Sequence, residues 1–421
     1  MAGKMKPSKS WLPNPLRCGG TELPMPLPLV AKLIVVCLLG RLTWLTLPAP
    51  FLPFLPLLDY FHNANLFAWA LRGTALLGAI AVLFNYRLRA AYLAIGVSFL
   101  LGILASRVYF ENNLMFLACV FVLLGLSDQR TGSWLIRAQV ILLFFSAALN
   151  KIMDASWRSG HFFDFWAKVA INKNLYFQLA SWLPAMFLPR MMSWMTIAME
   201  FTICFGLLFR RTRIWTIWIG LLLSLGMNIL TERTFGVFFY LMPICYLAFA
   251  DWPRSTVTVL YDGDCGLCAR TRQVMERFDI EGLFDWKPFQ QASDLHGISQ
   301  EALRQRLYVV TEKQKYSGFA AFRIMALYNP LTYFVILMTL LGPQSLYFHH
   351  RSLMAAFFVF LFSPFFAPIG QAAYEVVARN RHAIFPEGSC SVDTSVPPAI
   401  NKIEISDVNR SYFEHLARKE L

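Results

Sequence analysis

The chain has 421 residues, of which 57% are hydrophobic and only 15% are charged. This balance excludes an ordinary soluble globular protein and predicts an integral membrane protein that is embedded in the lipid bilayer. The bilayer is therefore one of its expected partners. The formal net charge is +13, but the lysines and arginines are scattered in short stretches between apolar runs. Because they are not gathered on one face, we expect no nucleic-acid partner.

Eight apolar runs are candidates for transmembrane helices, each of which needs about 20 mostly apolar residues. The basic segment 1–26 precedes them and shows no compact apolar stretch with a small-residue cleavage site, so we expect no removable signal peptide. The runs predict a polytopic α-helical membrane domain over residues 27–250, with spans at 27–47, 66–84, 91–110, 114–126, 134–150, 191–209, 214–230 and 235–250.

Basic residues between the runs predict the sidedness of the loops. Eight spans with a cytoplasmic start return the chain to the cytoplasm before residue 255, which predicts an inner-membrane protein with a cytoplasmic C-terminal domain. The outer segment 151–190 is an exception because it is also basic, and its aromatic residues predict that it folds against the membrane. The inner-side basic residues are Lys4, Lys6, Lys9, Arg17, Arg87, Arg89, Arg130, Arg210, Arg211 and Arg213.

Charged residues within the predicted spans need partners or a water-filled cavity. Glu200 falls in the middle of its span, and an ion pair between Glu200 and an intramembrane arginine is our hypothesis. Such a pair is either functional or purely structural. The arginines in question are Arg41, Arg72, Arg107 and Arg137.

A Cys-x-x-Cys motif follows the apolar region, in VLYDGDCGLCARTRQVM, residues 259–275. The β-branched run 256–261, the turn DGDCG and the amphipathic LCARTRQVMERF predict a strand, a loop and a helix. Cys265 and Cys268 then lie at the helix start, where unpaired N–H groups and the helix dipole lower the pKa of a thiol. We expect Cys265 to be the more exposed thiol and to attack, and Cys268 to resolve the mixed disulfide.

The sequence after the motif continues to alternate between strand and helix patterns. This alternation predicts an α/β domain with a thioredoxin-like layer of sheet and helices. The predicted strands are 283–289 and 307–311, and the predicted helices are 299–306 and 318–328.

A zinc site is the alternative for an isolated Cys-x-x-Cys pair. No second cysteine or histidine pair stands at ligand spacing, because Cys390, His349 and His350 are distant in sequence and unpatterned. We therefore expect no metal, and thiol–disulfide exchange itself requires no cofactor.

Two aspartates flank the first cysteine. Asp262 and Asp264 oppose thiolate formation through like charge, although either could instead accept a proton. The alternative is that both only form the turn, since Asp-Gly-Asp is ordinary loop sequence. We favour the turn for Asp264 and keep Asp262 as a candidate for a redox role.

The segment YDGDCGLC resembles the DCC family of thiol-disulfide oxidoreductases, whose pattern Asp-x-x-Cys-x-x-Cys is matched by Asp262, Cys265 and Cys268. Two later segments, YSGFAAFRIM and AYEVVARNR, are similar to other parts of the family, so the resemblance covers residues 256–385. It implies a redox role for the two cysteines, with an unidentified protein or a small thiol or disulfide as the partner.

Residues 331–368 are more hydrophobic than a soluble member of this family needs. A membrane-contacting hairpin is the favoured interpretation, and a core helix pair is the alternative. The last segment, 386–421, is predicted to be a loosely ordered tail, with partner binding as its alternative role.

The stretch WLIRAQVILLFFSAALNKIMDASWRSGHFF, residues 134–163, resembles the horizontally transferred transmembrane (HTTM) domain shared with vitamin K-dependent γ-carboxylase. The resemblance covers about 28–250, although Asn113 stands where that family has a histidine. The matching positions are Ala148, Lys151, Ile152, Trp157 and Gly160.

The carboxylase resemblance implies that Lys151 is a candidate base acting on a quinone. The alternative is a lysine that extends to the membrane interface, which is the commoner fate of a lysine at a span end. The missing histidine, and the absence of the carboxylase's large lumenal domain, argue against peptide carboxylation. Lys151 is predicted on the membrane face opposite Cys265, so no direct contact is expected between them.

Three functions follow from these residues. The leading hypothesis is a membrane-anchored thiol-disulfide oxidoreductase, with a quinone or lipid in the membrane domain as a candidate electron partner. The second is a carboxylase-like membrane enzyme that acts on a quinone or lipid and carries a regulatory thiol domain. The third is a non-catalytic maturation or immunity partner.

Overall fold

The computed structural model of the chain describes residues 14–41, 52–60, 64–107, 112–171, 174–231, 238–253, 255–341, 357–358 and 362–384. The chain divides into two units. The helical unit takes the residues up to 254 together with 322–372, and the sheet unit takes 255–321 together with the residues from 373 onwards. The predicted tail 386–421 lies outside the described residues.

The helical unit is formed by apolar helices. Their backbone groups are satisfied within each helix, as a lipid environment requires. In chain order the helices are α1 (Pro26–Arg41), α2 (Ala64–Leu83), α3 (Leu88–Ala105), α4 (Asn112–Leu126), α5 (Trp134–Met153), α6 (Ala155–Ser159), α7 (His161–Trp166), α8 (Asn174–Ser181), α9 (Phe187–Leu208), α10 (Arg210–Thr231) and α11 (Phe238–Tyr246).

Four of these helices, α2, α3, α5 and α9, are long and apolar enough to cross a membrane. These four suggest a membrane protein. The expectation of about eight spans is not supported. The other predicted spans correspond to α1, α4, α10 and α11, which do not meet the same length and composition within the described residues; α1 has 16 residues and α4 has 15.

Helix α3 packs closely between α2 and α4, and this packing depends on glycine. A methyl group on Gly96 would lie 2.8 Å from the backbone nitrogen of Val122 in α4. Tyr92 and Phe121 are fully buried at the same interface, with ring centroids 6.4 Å apart. The small residue therefore allows the two backbones to approach, and the aromatic rings fill the space beside them.

Lys32 in α1 is fully buried. Its Nζ donates hydrogen bonds to the carbonyls of Pro15 (2.7 Å), Arg17 (2.7 Å) and Leu83 (2.8 Å). A buried ammonium group needs such acceptors because it has lost its hydration. Lys32 thus connects the segment before α1 to the end of α2, a role that the sequence analysis did not anticipate.

The sheet unit contains a mixed four-stranded sheet in the order β2-β1-β3-β4. Strand β1 is parallel to β2 and antiparallel to β3, and β4 pairs antiparallel with β3. The elements are β1 (Val257–Tyr261), α12 (Gly266–Phe278), β2 (Phe284–Pro288), α13 (Gln300–Gln305), β3 (Tyr308–Val310) and β4 (Lys315–Ser317). The predicted strands and helices of this region are confirmed, and only the three-residue β4 was missed.

The two faces of the sheet carry different side chains. Leu260 and Val310 pack with Phe289 and Leu303, the latter from α13, in one buried cluster. Along β1 the side chains alternate, so Tyr261 lies on the face opposite Leu260. Its hydroxyl accepts a 2.8 Å hydrogen bond from Arg272, which connects α12 to the end of β1.

After β4 the described chain contains three further α-helices, α14 (Phe319–Tyr328), α15 (Pro330–Leu341) and α16 (Ala367–Ile384), and a short 3-10 helix at Pro364–Phe366. Helices α14 and α15 meet at an angle of 80° and together are a fifth candidate span. Proline at the start of α15 ends the preceding helix, and Asn329 Oδ1 accepts a 3.0 Å hydrogen bond from Leu331 N.

The hydrophobic segment 331–368 is described only in part. Phe334 and Leu337 of α15 are buried in the core of the helical unit. Residues 342–356 and 359–361, which contain most of the remaining predicted hairpin, lie outside the described residues.

Helix α16 closes the sheet unit. Tyr374 Oη accepts a hydrogen bond of 3.2 Å from Leu307 N, and Glu375 Oε1 accepts one of 3.1 Å from Arg306 Nη2. These contacts attach α16 to the residues that lead into β3.

Candidate redox site

The two cysteines lie where the chain passes from β1 into α12. Cys265 is the N-cap of α12, with an extended backbone at φ −93° and ψ 113°, and Cys268 lies in the first turn. Cys265 N donates to Asp262 O at 3.3 Å, and Cys265 O accepts from Ala269 N at 3.0 Å. The strand, turn and helix predicted from the sequence therefore bring both sulfurs to the N-terminal end of one helix.

The exposure of the two thiols is the reverse of our expectation. Cys265 is only 3% exposed, whereas Cys268 is half-buried. The reason is that Cys265 still belongs to the loop, which is tied to the sheet. Helix α12 has no buried residue, so Cys268 shares its partly accessible surface. The prediction that Cys265 is the more exposed thiol was wrong.

Asp262 is held in the loop by a residue that the sequence analysis missed. Its side chain is largely buried, with the residue 8% exposed, and its Oδ1 accepts hydrogen bonds from Gln290 Nε2 (2.7 Å) and Asp264 N (3.2 Å). Gln290 Nε2 also lies 3.2 Å from Asp264 Oδ2, and Gln290 Oε1 accepts from Gly263 N at 3.0 Å. One glutamine side chain therefore contacts all three residues of the Asp-Gly-Asp turn.

The strand geometry explains why Gln290 reaches this turn. Strands β1 and β2 are parallel, so the residues that follow them meet at the same edge of the sheet. Phe289 N continues the ladder with a 2.9 Å hydrogen bond to Tyr261 O. A polar residue just after the second predicted strand was the sequence signal that could have identified Gln290.

Arg272 is the second residue that was missed. It lies one turn after Cys268 in α12, and its guanidinium contacts Tyr261 and Glu276 at 2.8 Å and 2.7 Å. Periodicity along the helix could have suggested it, because residues four apart share a face.

Residues 259–348 match the family model of the DCC1-like thiol-disulfide oxidoreductases. The matched segment begins in β1 and includes Asp262, Cys265, Cys268 and Gln290. The match supports a thiol-disulfide oxidoreductase role for this part of the chain. No curated protein and no solved structure matches the chain.

Lys151, the remaining candidate, lies in the helical unit. Its Nζ is 2.8 Å and 2.9 Å from the two carboxylate oxygens of Glu200, and it lies 5.1 Å from the centre of the Trp157 ring. The side chains of Lys151 and Glu200 are 18% and 12% exposed. The pair joins α5 to α9, the two spans that flank the segment with α6, α7 and α8.

The hypothesis of an arginine partner for Glu200 was wrong. Helix α9 begins before its predicted start, and its first turns pack against α6 and α7. Glu200 is therefore level with the end of α5, where Lys151 can reach it. Arg137 instead donates to Ala248 O at 2.7 Å, and Arg107 and Arg72 lie over the rings of Phe54 and Trp69. The side chain of Arg41 lies outside the described residues.

Within the ranges that the structure describes, no three His, Cys, Asp or Glu side chains come together as a metal site. Asp262, Cys265 and Cys268 are brought into one loop and helix start. Lys151 belongs to a different unit and is grouped with Glu200 and Trp157.

Proposed function

We propose that the chain is a membrane-anchored thiol-disulfide oxidoreductase whose exchange pair is Cys265 and Cys268. The observation that carries this proposal is the position of the pair: an N-cap and a first-turn residue of one helix, inside the segment that matches the DCC1-like family. Helix N–H groups and the helix dipole favour the thiolate at both positions.

The exchange requires two substitutions at sulfur. The Cys265 thiolate attacks one sulfur of a partner disulfide, a mixed disulfide forms, and the other partner sulfur leaves as a thiolate. The Cys268 thiolate then attacks the Cys265 sulfur, which releases the second partner thiolate. The partner disulfide is reduced to two thiols, the Cys265–Cys268 disulfide forms, and the same steps in reverse oxidise a dithiol.

The loop contacts support a positioning role for Asp262. Its carboxylate accepts from Gln290 and from the backbone of Asp264, which fixes the turn that carries Cys265. Because Cys265 is nearly buried, attack on a large partner requires this turn to open. A small disulfide, or an extended peptide, is therefore the more suitable substrate class.

The cysteine that forms a mixed disulfide first is the attacking thiol. The test is to incubate full-length Cys268→Ser and Cys265→Ser proteins with a small disulfide such as oxidised glutathione and to measure adducts by mass spectrometry. We expect a stable adduct on Cys265 in Cys268→Ser. A faster adduct on Cys268 in Cys265→Ser would reverse the two roles, and no adduct in either would refute the exchange proposal.

The topology of the sheet supports a thioredoxin-like fold for the sheet unit. The order β2-β1-β3-β4, with β1 and β2 parallel and α12 between them, is the arrangement expected for that fold. The cysteine pair follows the first strand, as the sequence alternation also suggests.

Membrane anchoring and sidedness are part of the same proposal. Four candidate spans precede residue 255. With an even number of crossings, the chain after residue 255 would lie on the same side of the membrane as residues 14–25. Arg210, Arg211 and Arg213 follow the last of these spans, which favours a cytoplasmic location in a cell inner membrane. Labelling of Cys268 by a membrane-impermeant maleimide should require lysed cells; labelling in intact cells would refute this orientation.

A second candidate function rests on the Lys151–Glu200 pair. A lysine, a carboxylate and the Trp157 ring between two spans form a polar site in apolar surroundings, which is a functional-site candidate by default. With the HTTM resemblance, this favours an enzyme acting on a quinone or lipid. A bound quinone would supply reversible two-electron chemistry, and Lys151 and Glu200 would contact its oxygens.

Two variants separate the candidates. Loss of activity in Cys265→Ser, with activity retained in Lys151→Ala, supports the exchange reaction. The reverse pattern supports the membrane-domain enzyme. Retention of cellular function in both variants supports a non-catalytic partner. The assay is complementation of a deletion strain, with protein abundance in the membrane fraction as the control.

A further inference from the structure

Arg272 is held in one position by two side-chain hydrogen bonds. Its Nη1 donates to Tyr261 Oη at 2.8 Å, and its Nε donates to Glu276 Oε1 at 2.7 Å. Its guanidinium carbon also lies 5.8 Å from the centre of the Tyr261 ring. Only 31% of the side chain is exposed. A guanidinium with these contacts is a fixed charge rather than a mobile surface group.

The side chain of Tyr261 is itself buried and packed against a second aromatic ring. Tyr261 is the last residue of β1 and 4% exposed, and its ring meets the Trp286 ring edge-on, with centroids 6.0 Å apart and planes at 67°. The next residue is Asp262, which begins the cysteine loop. The hydroxyl that holds Arg272 is therefore anchored to the strand from which that loop departs.

The helix places Arg272 on the same face as the cysteines. Residues three and four apart on a helix are neighbours, with about 5–6 Å between Cβ atoms. Cys265, Cys268 and Arg272 follow this spacing at the start of α12. Arg277 does not, because it lies two and a half turns beyond Cys268 on the opposite side of the helix.

Charged groups of both signs lie near the pair. Arg270, two residues after Cys268 on α12, is basic and exposed. Asp262 and Asp264 precede Cys265, and both accept hydrogen bonds from Gln290, which is uncharged. Glu276 lies on α12 itself and accepts from Arg272. On β2, which packs beside β1, Asp285 and Lys287 pair with each other at 2.9 Å. They alternate with Trp286, so they lie on the sheet face away from α12.

We propose that Arg272 is a positioning residue of the exchange pair, whose fixed guanidinium stabilises the Cys268 thiolate one helical turn away. The proposal rests on the function proposed above. It explains how a thiolate forms beside two aspartates, since a nearby positive charge offsets their repulsion. In the second exchange step this thiolate attacks the Cys265 sulfur, so its population at a given pH sets the rate of resolution.

The test is the pH dependence of Cys268 alkylation by iodoacetamide in full-length protein that carries Cys265→Ser. Cys268 is half-buried and therefore accessible to a small reagent. We expect Arg272→Gln to move the midpoint of the pH–rate profile up by about one unit, because a nearby opposite charge shifts a pKa by about 1–3 units. That change makes alkylation at neutral pH several-fold slower.

Three further variants control this result. Arg272→Lys keeps the charge and should recover most of the shift, and Tyr261→Phe frees the guanidinium and should give an intermediate shift. Arg277→Gln removes a charge from the same helix and should leave the midpoint unchanged. Circular dichroism of each variant verifies that α12 is folded.

An Arg272→Gln midpoint equal to that of Arg277→Gln would overturn the role of Arg272. This outcome is distinct from failure of the proposed function. Failure of the proposed function would instead appear as no glutathione adduct on either Cys268→Ser or Cys265→Ser protein, whichever residue stood at position 272.

Discussion

Gln290 Nε2 donates a 2.7 Å hydrogen bond to Asp262 Oδ1. This bond connects the residues that follow β2 to the loop that carries Cys265. The same glutamine accepts from Gly263 N and contacts Asp264. The amide of Gln290 therefore stabilises the acidic turn of the motif.

Replacing Gln290 with Ala should loosen this turn. Asp262 would lose the 2.7 Å hydrogen bond from Gln290. We expect a loss of about 1.5–3 kcal/mol in unfolding free energy, the usual contribution of a hydrogen bond to a charged group. We also expect faster alkylation of Cys265, since the loop that carries it opens more often. Thermal unfolding and the rate of iodoacetamide labelling at Cys265 measure the two effects.

Gln291→Ala is the matched control for this change. Gln291 is the next residue and is exposed, so its loss should alter neither quantity. Equal behaviour of the two variants would contradict the role assigned to Gln290.

Breaking the Lys151–Glu200 pair from one side should destabilise the helical unit. Lys151→Met leaves the Glu200 carboxylate largely buried without its ammonium partner, and we expect a loss of about 2–4 kcal/mol, since an uncompensated buried charge is costly. The measurement is thermal unfolding of the purified protein in detergent micelles.

The double variant Lys151→Met with Glu200→Leu separates structure from activity. It removes both charges and should recover most of the lost stability. If the pair serves only packing, this variant should also retain function in cells. Stability without function would assign the pair a chemical role.

Gly160→Ala should disrupt the corner between α6 and α7. Gly160 has φ +86°, which favours glycine, and an added Cβ would lie 2.6 Å from Arg190 N, a backbone atom that cannot yield easily. We expect a cost above about 2 kcal/mol, because strain and overlap add. Loss of folded protein from the membrane fraction, and a lower unfolding temperature, are the observations to seek.

Gly132→Ala provides the comparison, because Gly132 also has a positive φ of +54° but nothing lies within 4 Å of the added methyl group. It should cost about 1 kcal/mol from backbone strain alone. A cost for Gly160→Ala no greater than this would show that the contact with Arg190 is readily relieved.

Lys32→Met should release the segment before α1. The carbonyls of Pro15, Arg17 and Leu83 would lose their shared donor, and the segment would open even if the bundle remains folded. We expect trypsin to cut after Arg17 at least tenfold faster, as followed by N-terminal sequencing. Lys168→Met, at an exposed lysine, should leave this cleavage unchanged.

The elements of the sheet unit could be predicted because their patterns are local. The β-branched run before Asp262 and the amphipathic run after Cys265 each specify one element, and both were found. Strand β4 was missed because three residues, Lys-Tyr-Ser, carry no periodic pattern. Its place is set by pairing with β3, which is a tertiary contact.

The site was only partly predictable for a related reason. Motif spacing identified Asp262, Cys265 and Cys268, but the burial of Cys265 is a property of the tertiary structure that its sequence neighbours do not define. Glu200 was recognised as needing a partner. Its choice of Lys151 over an arginine depended on where α9 begins relative to α5, which hydrophobicity alone does not define.

Helix α16 gives the sheet unit a discontinuous sequence. Tyr374 and Glu375 accept hydrogen bonds from the residues before β3, although more than fifty residues of the helical unit separate the two parts of the sheet unit in the chain. A truncation after α15 would keep both cysteines and every strand but would remove these hydrogen bonds. We expect proteins shortened at that point to keep the motif in a poorly folded sheet unit, so an excised fragment would not have the properties of the full-length protein.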